Sequence, residues 1–184
     1  MDMNTYDFTE LADTLLNGGV VVMPTDTVYG LVCLAGNPEA VKKMYEVKQR
    51  DGKPGTIIAG SVEQLVDMGF NQTEIATAGQ FWPGPVSVIL EAPESLDYLH
   101  MGKKSLAVRI PSLDWLQELL ETTGPLATTS ANLPGEPTVT NIEQAQRVFG
   151  EKIDFYLDGA VIINSKPSKI VRILQSGEVD IIRD

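Results

Sequence analysis

Three separated segments of this 184-residue chain carry side chains suited to holding a small anion. Lys48-Gln49-Arg50 presents two cations one residue apart, with Lys53 close behind. Upstream lies Pro24-Thr25-Asp26-Thr27-Val28-Tyr29-Gly30-Leu31, and far downstream Ser130-Ala131-Asn132, both rich in small hydroxyl, carboxyl and amide groups. Arginine offers a planar fork for carboxylate or phosphate oxygens, and lysine a mobile point charge. Hydroxyls and amides complete the hydrogen bonding that distinguishes one small polar ligand from another. In a chain of net charge -11, this group reads as a local pocket for anions. Each piece also has a plainer explanation. Cations near a helix end are favoured by its dipole, Thr25, Asp26 and Thr27 suit a turn with side-chain caps, and Ser130-Ala131-Asn132 suits an ordinary loop start.

Composition narrows the chemistry. One cysteine, Cys33, makes no internal disulfide, and with one histidine, His100, it cannot supply a tetrahedral zinc site. Nucleophilic catalysis of the Ser-His or Cys-His type would rest on His100 alone. Tyr98-Leu99-His100-Met101-Gly102 reads as a loop without a nucleophile signature, so His100 is expected at the surface or in packing. A pI near 4.5 argues against a broad nucleic-acid surface, which needs clustered Lys and Arg. The chain is 43% hydrophobic with no long apolar run, which excludes a spanning helix. Met1-Asp2-Met3-Asn4 lacks the basic start of a secretory leader, so a cytoplasmic location and one domain over residues 1–184 are expected.

Periodicity supplies the elements that must position these groups. Phe8, Leu11, Ala12, Leu15 and Leu16 recur at helical spacing, and Asn17-Gly18-Gly19 tolerates the left-handed conformation that closes a helix. Val20-Val21-Val22-Met23 is a continuous apolar run, as in a strand covered on both faces. Asn37-Pro38 reads as an N-cap followed by proline at the first helical position, which sets Lys48 and Arg50 at the helix C-terminal end. Thr56-Ile57-Ile58-Ala59 reads as another buried strand, and Ser61-Val62-Glu63-Gln64 as a capping box. A helical segment is expected over 73–81, then the breaker Trp82-Pro83-Gly84-Pro85 and strands at 86–90 and 106–110. Ser112 is expected to start a helix carrying Leu113, Leu116, Leu119 and Leu120. Leu126-Ala127-Thr128-Thr129 reads as a strand leading into Ser130, and Thr140-Asn141-Ile142-Glu143 as a capping box for a helix to Phe149. Strands near 155–157, 169–174 and 179–182 complete an α/β pattern: an open, twisted, mixed sheet flanked by helices.

Neither a Gly-x-x-x-x-Gly-Lys-Ser/Thr loop nor a Gly-x-Gly-x-x-Gly turn is present, so phosphate would have to be held by side chains. Lys48, Arg50 and Lys53 are the candidates, with Ser130 and Asn132 beside them.

Taken in order, these segments resemble the YrdC/TsaC threonylcarbamoyl-AMP synthase family. The likeness runs nearly end to end: the 24–31 motif, Lys48-Gln49-Arg50, Lys53-Pro54, Trp82-Pro83-Gly84-Pro85, Ala107-Val108-Arg109-Ile110-Pro111, the 125–132 stretch with Gly135, and Asp158-Gly159. The resemblance implies a YrdC-like fold. It implies synthesis of threonylcarbamoyl-adenylate from L-threonine, bicarbonate or CO2, and ATP, with Mg2+, releasing pyrophosphate for tRNA threonylcarbamoyladenosine modification. By position it implies that Thr27, Arg109, Ser130 and Ser168 surround threonine. It sets Lys48, Arg50, Lys53, Ser105, Asn132, Thr140 and Arg183 toward ATP, with Lys48, Arg50, Ser130 and Asn132 carrying catalysis and no residue ligating a metal. Downstream partners would be tRNA threonylcarbamoyl-transfer proteins, with weak contact to tRNA itself and none to a membrane.

The chain departs from the family pattern at three points. The segment between Arg50 and Lys53 is one residue short, Gly55 replaces a common leucine, and the C-terminal motifs read Ser168-Lys169 and Ile182-Arg183-Asp184. Two alternatives stand beside the synthase reading: a paralogue forming a carbamoyl-adenylate, and an RNA-binding translation or ribosome-maturation factor without catalysis.

Overall fold

The computed structural model describes residues 5–50, 52–159, 166–174 and 176–184. Its helices are α1 (Thr5–Leu16), α2 (Pro38–Lys48), α3 (Val62–Asp67), α4 (Gln72–Ala78), α5 (Asp97–His100), α6 (Asp114–Thr123) and α7 (Ile142–Phe149). Its strands are β1 (Val21–Met23), β2 (Gly30–Leu34), β3 (Thr56–Ile58), β4 (Val86–Glu91), β5 (Ser105–Arg109), β6 (Leu126–Ser130), β7 (Phe155–Tyr156), β8 (Lys169–Ile173) and β9 (Val179–Arg183). Among the described residues these strands form one sheet in the order β7-β1-β2-β6-β3-β5-β4-β8-β9. Three parallel pairs (β1 with β7, β3 with β5, β4 with β8) are interspersed among antiparallel ones, so the sheet is mixed as expected.

Helices cover the two faces unequally. On one side α2, α4 and α7 pack Val41, Met44, Ile75, Ala145 and Phe149 against Leu31, Cys33, Ile57, Val88, Val108 and Ala127. On the other, only α1 and α6 bury apolar residues, bringing Leu11, Leu15, Leu116 and Leu119 onto Val21, Met23, Val32, Ile58 and Leu126. Among the described residues both helices lie over the same part of that face, and no other helix adds to this cluster.

Local signals explain where the helices begin and end. Asn37 caps α2 by accepting from Ala40 N, with Pro38 at the first helical position. Ser61 caps α3 by accepting from Gln64 N, while Gln64 Oε1 returns to Gly60 N rather than to the cap's own N–H. The box read over 140–143 is shifted by one residue. Asn141 is the cap of α7 and accepts from Gln144 N, and Gln144 Oε1 takes Thr140 N. Gly18 closes α1 at φ +80°.

The structure adds one strand and corrects two further expectations. Gly30 opens β2, to which no element was assigned from sequence because it is too short and too uniformly apolar to be distinguished by period. His100 ends the short helix α5 instead of lying in a loop, and it is buried, with Nδ1 accepting from Gly102 N at 3.1 Å. Ser112 is exposed and does not begin α6, which starts at Asp114, an acidic residue favoured in a first helical turn.

The uneven cover makes a stability prediction. Leu119, fully buried beneath α6, should cost about 2–5 kcal/mol of unfolding free energy when replaced by alanine, as measured by denaturant titration. Leu16, 50% exposed on α1, should cost under about 0.5 kcal/mol in the same assay.

Candidate active site

The part of the sheet face beyond α1 and α6 is a polar continuation of the α1/α6 core. Side chains alternate along a strand, so the same-side neighbours of Val32, Ile58 and Leu126 are Gly30, Thr56 and Thr128, then Ser130. Leu106 and Val108 belong to the opposite core, which turns Ala107 and Arg109 to this side. Register aligns them: Gly30 pairs with Ser130, while Thr128, Thr56 and Ala107 form a row across three strands. Together they floor a cavity of about 130 Å³, walled by Thr25, Thr27, Arg50, Pro54, Gly55, Arg109, Ser168 and Arg183.

A larger, open depression of about 680 Å³ lies beside α1, but Lys43, the cation lining it, is ion-paired with Asp154 at 2.6 Å. Convergent cations and hydroxyls, not volume, single out the smaller cavity.

Two glycines make the close approach of its walls feasible. A Cβ on Gly30 would stand 2.8 Å from Thr128 Oγ1, and one on Gly55 would stand 2.9 Å from the Thr128 carbonyl oxygen. The second clash is with backbone, so the short segment after Arg50 fits only because position 55 has no side chain. Tyr45 Oη ties that segment down by accepting from Gly55 N at 3.0 Å and donating to Leu99 O at 2.8 Å.

The cations reach the cavity from different elements. Arg50, just past the left-handed C-cap Gln49, donates Nη1 to Thr129 Oγ1, and Nε and Nη2 to the carbonyls of Lys53 and Pro54. Arg109 ends β5, and Arg183 ends β9 with Nε and Nη2 donating to Ser168 O at 2.9 and 2.7 Å. Lys48 reaches the wall from beneath. Its ammonium is surrounded by Ser130 O, Asn132 O and Asn132 Oδ1 at 2.7 Å and Ser130 Oγ at 3.3 Å. Ser130 Oγ also donates to Asn132 Oδ1 at 2.7 Å, so Lys48 knits the loop after β6 into one hydrogen-bonded unit.

The cavity thus gathers Thr27, Arg50, Arg109, Ser130, Ser168 and Arg183 from the residues singled out in sequence, with Lys48 and Asn132 directly behind Ser130. Three others lie outside it. Lys53 is exposed and contributes only its carbonyl to Arg50. Ser105 sits one same-side step beyond Ala107, and Thr140 is engaged with Gln144 at the start of α7.

Sequence reasoning passed over Thr128 and Thr129, which read as ordinary strand residues, and Ser87. Ser87 is fully buried on β4, where its hydroxyl shares a 2.9 Å hydrogen bond with Ser168 Oγ and accepts from Arg109 Nη1 at 3.4 Å. A serine in an otherwise apolar strand was the available signal.

Charge in the site is held under strain from burial. Desolvation, then the neighbouring Arg50, pushes the Lys48 ammonium down to about 8. Burial likewise lowers Arg50 and Arg183, each further opposed by another guanidinium. Arg109 is driven down by burial and held up by Asp26. A ligand bringing negative charge relieves all of these at once.

Fold and site together define an open-sheet α/β protein with a cleft that gathers three arginines and several hydroxyls, chemistry suited to a small anionic ligand. The Sua5/YciO/YrdC family model, described as telomere recombination, matches residues 13–184, and the chain belongs to that family. A threonylcarbamoyl-AMP synthase of Marinobacter nauticus is 38% identical over 186 residues, covering 94% of this chain and 96% of that protein. A protein of the same name from Serratia proteamaculans is 34% identical over 183 residues, covering 96% of each. Among solved structures, P. abyssi Sua5 complexed with L-threonine superposes with a TM-score of 0.87 at 29% identity, covering 100% of this chain. This chain spans 55% of that Sua5 protein. E. coli YciO matches with a TM-score of 0.83 at 23% identity, covering 100% of this chain and 91% of its own, a likeness of fold.

Lys48 gives the site a pH dependence. Below about 8 it is charged and supports anion binding, and above that it loses its proton and both its field and its grip on the Ser130–Asn132 loop weaken. Pyrophosphate affinity measured by calorimetry should therefore fall as pH rises from about 7 to about 9, and Lys48→Met should flatten that profile. The unfolded chain keeps this proton to about 10.4, so Lys48 deprotonation should raise unfolding free energy between about pH 8 and 10.4.

Proposed function

We propose that this protein is an L-threonylcarbamoyladenylate synthase, a nucleotidyl transfer enzyme acting on L-threonine, bicarbonate or CO2, and ATP. The observation that carries the reading is the convergence of Arg50, Arg109 and Arg183 with the hydroxyls of Thr27, Ser130 and Ser168 on one cavity. The curated relatives named threonylcarbamoyl-AMP synthase and the Sua5 structure complexed with L-threonine support it.

In this reading Arg109 receives the threonine carboxylate in its guanidinium fork, and the hydroxyls of Thr27, Ser130 and Ser168 bind the rest of the amino acid. Arg50 and Arg183 face the phosphates, while Lys48 and Asn132 hold the loop that carries Ser130 and supply field behind it. Lys53, Ser105 and Thr140 border the nucleotide from outside the cavity.

Chemistry then needs no protein nucleophile. The threonine amine combines with bicarbonate to give a carbamate and water. A carbamate oxygen attacks the α-phosphorus, the bond to the β-phosphate oxygen breaks, and pyrophosphate leaves with its electron pair. The protein contributes alignment of the two substrates and cations placed where negative charge accumulates on the leaving group. Asp26 beside the cavity is paired with Arg109. Mg2+ would be held chiefly by the phosphates of the nucleotide, whose charge it would offset. Among the described residues no helix is long and apolar enough to cross a membrane. In the cytoplasm the adenylate would pass to the tRNA threonylcarbamoyl-transfer proteins.

Incubation with ATP, L-threonine and bicarbonate should release pyrophosphate and form the adenylate only when all three are present. Equal pyrophosphate release from ATP alone would contradict the assignment. Arg50→Ala should cost about 1.5–3 kcal/mol of nucleotide or transition-state binding, read from kcat/KM for ATP, with the fold retained. Valine should be turned over far less than threonine, because it cannot satisfy a site that hydrogen-bonds the hydroxyl. Serine, lacking only a methyl worth about 1 kcal/mol, should be rejected less.

A further inference from the structure

Asp26 has no place among the cavity walls, yet it makes the closest contact to Arg109. Its Oδ1 accepts from Arg109 Nη2 at 2.8 Å, and the two side chains are only 6% and 3% exposed. A lone buried guanidinium would be costly to keep charged, and Asp26 is the opposing charge that keeps it so.

The way Asp26 is presented is specific. It sits in the turn between β1 and β2, where Thr25 Oγ1 donates to Val28 O at 2.7 Å and accepts from Thr27 N and Val28 N at 3.3 Å. Asp26 is not among the cavity walls, while the next residue of that turn, Thr27, is one of them.

The pairing is incomplete in a telling way. A guanidinium carries five N–H donors. Arg109 commits one at full strength to Asp26 and one, at 3.4 Å, to Ser87 Oγ. Among the described residues its Nε has no partner, and neither does Asp26 Oδ2, although both atoms are buried. A purely structural ion pair of this burial would be expected to form the two-pronged contact that satisfies both edges. Here one edge is pinned and the remaining donors are left for something else.

We propose that Asp26 is a positioning residue for the amino-acid substrate: it pins one edge of the Arg109 guanidinium so that the uncommitted donors receive the substrate carboxylate. This rests on the reading of Arg109 as the carboxylate partner. Asp26 touches no substrate and acts only through Arg109.

The test is a double-mutant cycle read by L-threonine binding and by steady-state kinetics. Asp26→Asn keeps the size and one acceptor but removes the charge. It should weaken L-threonine binding in calorimetry and raise KM for L-threonine at least tenfold, with KM for ATP and kcat at saturating threonine nearly unchanged. Arg109→Gln should weaken threonine binding at least as much, and adding Asp26→Asn to it should change threonine affinity by less than about twofold. The double variant removes both buried charges together, so it guards against loss of fold in the single ones. A threonine affinity unchanged in Asp26→Asn, or effects of the two substitutions that simply multiply, would overturn the proposal while leaving the synthase reading intact. Failure of the unaltered protein to bind L-threonine at all would overturn both.

Discussion

The structure depends on one constraint: among the described residues, the helices α1 and α6 put their apolar side chains over only part of a sheet face. Beyond that part, a strand side chain facing a ligand cleft is favoured as polar, small, or paired. Along β2, β3 and β6 the sequence obeys that rule within a single strand, passing from Val32 to Gly30, from Ile58 to Thr56, and from Leu126 to Thr128 and Ser130. The cleft is thus a direct extension of the core, built on the same strands and held by the same register. The strands fix Thr56, Thr128 and Ser130, while the β1–β2 turn brings Thr27 and the segment before β8 brings Ser168 to the same cavity.

Placing cations on that floor carries a desolvation cost, and three devices offset it. Arg109 is matched by Asp26, Arg183 leans on the Ser168 carbonyl, and Arg50 and Lys48 are wrapped in carbonyl and hydroxyl oxygens. Arg183 still opposes the charge on Arg50, which favours an anion between them. The local field thereby opposes the charge of the whole chain, whose excess of acidic residues lies elsewhere.

Much of this was legible in sequence because it is written in short-range signals. Asn37-Pro38 determined α2 and hence the position of Lys48 and Arg50, and the continuous apolar runs marked buried strands correctly. What escaped were features set by long-range register. Thr128 reads as a β-branched strand residue until Thr56 and Ala107 are seen in its row, and Gly30 reads as part of a motif until its pairing with Ser130 makes it strand. Ser87 is polar on a strand whose function depends on Arg109, twenty-two positions away. Position 55 is informative in the same way, since the need for glycine there comes from a carbonyl on β6. Lys53, read from its charge and spacing, and Ser105 and Thr140, assigned by resemblance, fall outside the cavity, and their roles depend on how far the nucleotide extends beyond it.

The central claim is that this half-covered face holds the amino acid and the nucleotide side by side. It is tested most directly by a crystal structure with L-threonine and a non-hydrolysable ATP analogue. The expected result is a threonine carboxylate within hydrogen-bonding distance of Arg109, with phosphate oxygens contacting Arg50 or Arg183. Threonine bound away from Arg109, or a triphosphate lying outside the cleft, would contradict it.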